Sequence, residues 1–84
     1  MILIIAEIHL PTNTEAYTLA KIWVNNNNDN EAETLALTKL TDDGCSGIRI
    51  IEATATEKDD YFAPCTSLDA FIRAQQEHIA IIYT

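Results

Sequence analysis

The stretch Met1-Ile-Leu-Ile-Ile-Ala-Glu-Ile-His9 decides how the rest of the chain folds. It is almost wholly apolar and rich in β-branched residues, and Pro11 closes it, which reads as a β-strand. Side chains alternate across a strand. Ile2, Ile4, Ala6 and Ile8 therefore share one face, while Leu3 and Ile5 lie on the other. Neither face of the sheet built on this strand is wholly polar.

Working outward, Thr12 to Glu15 reads as a turn and Tyr17 to Asn25 as a second strand. In that strand Ala20, Ile22 and Val24 alternate with Leu19, Lys21 and Trp23. The short connection makes the two strands an antiparallel hairpin. Asn25 to Asn28 suits a turn, because Asn tolerates left-handed backbone angles and bonds to its own backbone. Asn30 to about Asp42 reads as a helix, with Ala32, Leu35, Ala36 and Leu40 at helical spacing and Leu37 on the flank. Asn30 and Glu33 have capping-box spacing, and Gly44 sits where a left-handed terminator belongs.

Gly47 to Thr56 reads as a third strand and Glu57 to Cys65 as an irregular acidic loop. A second helix opens at Thr66 with the capping pattern Thr66-Ser-Leu-Asp69 and turns Leu68, Phe71, Ile72 and Ile79 inward. Ile79 to Thr84 forms a last strand, although no Gly or Pro marks the break near His78. The order is ββαβαβ. The expected architecture is an α+β two-layer sandwich: a four-stranded mixed sheet with both helices on one face, each strand–helix–strand unit being a right-handed crossover.

The chain has 84 residues, enough for a single α/β sandwich domain spanning 1–84. Thirteen acids against five bases give a net charge of −8, which disfavours direct contact with nucleic acid or an anionic membrane. No apolar run approaches the ~18 residues of a membrane span, and the apolar start lacks a basic leader. Two cysteines are too few for a secreted disulfide framework. A cytoplasmic protein is the expectation.

If both helices cover one face, the other carries Leu3, Ile5, Tyr17, Leu19 and Trp23, with Ile82 or Tyr83. An exposed apolar patch of that kind marks an interaction site. The first expectation is a small acidic, non-enzymatic protein-interaction module that dimerises or docks through this helix-free face. A homodimer would also support a small core.

A second surface is acidic. Asp29, Glu31, Glu57, Asp59 and Asp60 are expected at one sheet end, with Tyr61 and Phe62 among them. Carboxylates spaced like phosphates, with aromatic anchors, suit an acidic inhibitor or nucleic-acid mimic, of phage or regulatory type, that captures a basic groove of a nucleic-acid-binding protein. The plain reading is a solvated edge, and Asp29, Glu31 and Glu33 also suit the helix dipole.

A third set, His9, Cys45 and His78, would meet at the opposite sheet end and could form a metal site or a small enzyme's nucleophile and base. No ligand pair has local metal spacing, and no phosphate loop or nucleophile motif occurs. No catalytic residue, metal or cofactor is therefore expected. Cys45 and Cys65 are placed too far apart for a disulfide. Arg49 is expected to pair with a carboxylate at the sheet surface, and Arg73 to lie on the outer face of its helix.

Overall fold

The computed structural model describes residues 1–62 and 65–84. The strands β1 (Ile2–Leu10), β2 (Asn13–Val24), β3 (Ser46–Ala55) and β4 (Ile79–Tyr83) alternate with the helices α1 (Asp29–Asp42) and α2 (Thr66–Glu77) in the expected order ββαβαβ. A short 3₁₀ turn, Lys58–Asp60, interrupts the acidic loop. The part of that loop at positions 63 and 64 lies outside the described residues.

The strands form one four-stranded sheet in the order β3-β1-β2-β4, and every neighbouring pair is antiparallel. The expected mixed sheet is thus corrected. β2 and β3 do run in the same direction, but β1 lies between them, so no parallel pair forms. β4 takes the far edge beside β2, antiparallel to it.

The helices do not share a face. Ile2, Ile4, Ala6, Ile8, Ala20, Ile22 and Val24 pack against Ala32, Ala36 and Leu40 of α1. Trp23 and Ala80, with Leu3 and Ile82, pack against Ala70, Phe71 and Ala74 of α2 on the opposite face. The molecule is therefore a helix–sheet–helix arrangement rather than a two-layer sandwich. The crossover rule that placed both helices together governs parallel strands. It does not govern β3–α2–β4, whose strands are antiparallel and whose connection starts and ends at the same sheet end. With one face taken by α1, α2 buries its apolar stripe against the large free side chains of Leu3 and Trp23.

Local chemistry sets the boundaries. α1 is capped by Asn28, not Asn30: the Asn28 side chain accepts the Glu31 N–H at 3.0 Å. Asn26 supports this cap, accepting the Asn28 N–H at 2.7 Å and donating to the Glu31 carboxylate at 3.2 Å. The asparagine run thus closes the cap two residues early. Ala32 and Ala36 are small enough to let α1 lie close on the sheet, whereas Leu35, expected inward, is 47% exposed. α2 is capped by the Cys65 sulfur, which accepts the Leu68 N–H at 3.3 Å, and Thr66 is already helical. The helix stops because His78 adopts a left-handed conformation, φ 73°.

β2 starts earlier than expected. The chain turns at Pro11 and Thr12, and pairing jumps from Ile8–Thr18 to Leu10–Asn13, so the hairpin tip is extended but irregular. β3 bulges twice against β1, at Ile51 and near Gly47. Gly47 has φ 57°, and a Cβ there would stand 2.5 Å from the His9 ring.

Candidate functional site

The expected apolar platform is largely covered. Trp23 is fully buried beneath α2 and Leu3 is half-buried beside it. The helix-free face on which that docking surface rested is absent. What stays open is the part of the same face beyond α2. There Ile5 is half-buried, while Tyr17 and Leu19 are exposed. The strip is not purely apolar: Glu7 pairs with Arg49, as expected for Arg49, and Lys21 stands opposite Ile5. His9 stacks on Tyr17 with ring centres 4.0 Å apart, and its Nδ1 lies 3.0 Å from the Ala16 carbonyl oxygen.

The acidic end is built more firmly. Thr56 N–H donates to the Met1 carbonyl at 2.9 Å, which brings the loop beside the sheet end where Val24 pairs with Ile2. Asp29 and Glu31 open α1 at that same end, on the α1 side. The loop turns toward the α2 side. Tyr61 is fixed there, its ring packed against Phe71 (5.8 Å between centres) and Trp23 (6.4 Å). The buried Trp23 Nε1–H donates to the Tyr61 oxygen at 2.8 Å, and Thr56 Oγ1 lies 2.9 Å from that same oxygen. Thr56 Oγ1 also donates to Asp60 at 3.1 Å, and the Glu57 N–H donates to the same carboxylate oxygen at 2.8 Å.

Tyr61 and Asp60 are therefore anchors of the loop. Phe62, one residue further, is 93% exposed. Glu57 and Asp59 are exposed as well. The result is an aromatic ring held out into water near the exposed Glu57, Lys58 and Asp59, on a turn whose base is hydrogen-bonded into the core.

The His9, Cys45 and His78 set does not assemble. His9 pairs with Ser46, next to Cys45, but His78 precedes Ile79, which aligns through Val24 with Ile2. His78 is thus about seven residues away along β1, roughly 23 Å at the strand rise. The expectation placed all three at one end because it treated β3–α2–β4 as a parallel crossover, whereas β4 runs antiparallel to β3 and starts at the sheet end where β3 stops. Among the described residues no group of three or more His, Cys, Asp or Glu could hold a metal ion. Both cysteines are free.

Cys45 instead joins a cluster that sequence reading missed. The Tyr83 hydroxyl donates to Asp43 at 3.0 Å, and the Cys45 thiol donates to the Tyr83 oxygen at 3.9 Å. Burial, then the bond to Asp43, pushes the Tyr83 phenol well above its ordinary range. The cluster ties the end of β4 to the end of α1. Nothing in local spacing announces it, since Tyr83 lies about forty residues from Asp43 and Cys45.

Beside β4 a groove of about 220 Å³ is lined by Leu35, Thr38, Lys39, Asp42, His78 and Ile79. Leu35, misplaced by the helical spacing, borders it. No helix among the described residues is long and apolar enough to cross a membrane. The chain matches no protein-family model, no curated protein and no solved structure.

Proposed function

We propose that this protein is a non-enzymatic interaction module that captures a basic surface of another protein through its acidic loop, with Phe62 as the anchor. The observation that carries the reading is the 93% exposure of Phe62 beside Glu57 and Asp59, on a loop whose base is locked by Tyr61 and Asp60. A large aromatic held in water costs the monomer and contributes only when a partner desolvates it. Presenting it on a fixed turn lowers the ordering cost of binding. The net charge of −8 attracts a cationic groove at long range. Nucleic-acid-binding proteins carry such grooves, so an inhibitor or mimic that occupies one fits this chemistry.

The test uses the immobilised chain to capture proteins from a lysate of its native host, with elution in rising salt. Asp59→Lys and Phe62→Ala are the informative variants, because both side chains point outward. Asp60 is unsuitable, since it holds the loop together. The expected result is a basic protein retained by the native chain, lost at high salt, and retained at least ~10-fold less by either variant, the loss of one interface anchor. Equal retention by folded variants, or capture insensitive to salt, overturns the reading.

A further inference from the structure

The two edges of the sheet are not alike. β3 is kinked by two register shifts and carries Arg49 and Glu52, features that keep an edge from pairing with another chain. β4 has none of them. Its residues, Ile-Ala-Ile-Ile-Tyr, include no charge, proline or glycine, and its five pairs with β2 run without a shift. In a molecule of net charge −8, the strand itself brings no carboxylate to a seam between two copies; Asp43 nearby is engaged by the Tyr83 hydroxyl, and Asp42 borders the groove beside Lys39.

Backbone parity shows which groups are free. Along an antiparallel strand, each residue turns its N–H and C=O to the same side, and the sides alternate. The His78 carbonyl accepts the Asn25 N–H, and the Thr84 N–H donates to the Leu19 carbonyl, both at 2.8 Å toward β2. His78, Ala80, Ile82 and Thr84 therefore face β2, whereas Ile79, Ile81 and Tyr83 point their backbone groups outward. The Arg73 guanidinium agrees with this parity. It reaches round from α2 and donates to the outward Ile81 carbonyl at 3.4 Å, a long and exposed bond.

We propose that two copies of this chain join β4 to β4, antiparallel, about a two-fold axis through Ile81, making one continuous sheet. In that register Ile81 opposes Ile81 of the second copy, and Ile79 opposes its Tyr83. All three positions face outward, so every free N–H and C=O of the edge finds a partner. The side chains match too. Ile79, Ile81 and Tyr83 lie on the α1 face in both copies, and Ala80 opposes Ile82 on the other face, small against large. The seam also covers the groove between Leu35 and Ile79, which leaves the helix side of β4 apolar and open in the single chain. Arg73 must release Ile81 for the pair to form, and so acts as a latch on the edge. This surface is separate from the acidic loop and does not depend on it.

Amide hydrogen exchange of the whole protein, read residue by residue at about 10 μM and about 1 mM, tests the register, because modest interfaces dissociate across that range. The amides of Ile79, Ile81 and Tyr83 should exchange at least ~10-fold more slowly in the concentrated sample. Those of Ala80 and Ile82, already bonded to β2, should not change. Light scattering should show a dimer in the concentrated sample. Arg73→Ala removes the latch without touching the core, and should tighten the dimer about five-fold, the equivalent of two long, exposed hydrogen bonds, one in each copy, of ~0.5 kcal/mol each. Ile81→Pro removes an outward N–H and should abolish the dimer. A monomer at both concentrations overturns the proposal, as does a dimer in which the three outward amides stay unprotected.

Discussion

Tyr61 shows how one hydroxyl can hold a loop. Its oxygen accepts a hydrogen bond from a tryptophan N–H that has no access to water. Tyr61→Phe keeps the ring packing on Phe71 and leaves that N–H buried without a partner. The expected loss is about 1–3 kcal/mol of stability by chemical denaturation, the cost of an unsatisfied buried donor. Tyr83 makes a different prediction. Its phenol titrates higher in the folded protein than in the unfolded chain, because burial and Asp43 both disfavour the phenolate. Its contribution is therefore fully present below the ordinary tyrosine pKa of about 10 and is lost as pH rises beyond it. Denaturation midpoints between about pH 9 and about pH 11.5 should fall more steeply for the native protein than for Tyr83→Phe, which has no phenol to ionise. Parallel curves would contradict this. Neither tyrosine's role could be read from its neighbours in sequence, because each is fixed by a residue about forty positions away.

At the scale of elements, the alternation in β1 and β2 is legible because a strand's side chains obey a fixed period, and the observed pairing of Ile4 with Ile22 follows it. Helix ends were less legible. The Asn25–Asn28 run offers several caps, and the choice of Asn28 depends on Asn26 being free to brace it. The α2 to β4 break has no Gly because His78 itself takes the left-handed conformation. His78→Gly should therefore stabilise the protein by about 1 kcal/mol, the strain of a side chain in that region, and raise the thermal midpoint. A lower midpoint would show that the His78 side chain contributes more than its backbone strain costs. Leu35 illustrates a limit of helical spacing. The period puts it on the buried flank, but whether a flank is buried depends on how far the next strand extends.

For the whole molecule, the position of α2 changes the functional reading most. Covering Trp23 and Leu3 removes the broad apolar platform and leaves surfaces of three kinds. These are an acidic loop with one projecting ring, a mixed strip around Tyr17 and Leu19, and the plain edge of β4. The two proposed surfaces, the acidic loop and the edge, rest on opposite physics, one on long-range charge and the other on short-range backbone pairing and apolar contact. A net charge of −8 favours the first and opposes self-association, least along β4, whose own residues carry no charge. The acids were visible in the sequence by composition alone. That Tyr61 turns inward while Phe62 turns outward was not, because both are aromatic and adjacent.

The order of elements, the hairpin and the acidity follow from the chain itself, since they depend on local periods, turn residues and a count of charges. The side of the sheet taken by each helix, the edge taken by β4 and the groups left without partners do not. They depend on which apolar faces remain free once α1 has docked, a contest among residues far apart in sequence that only the folded molecule decides.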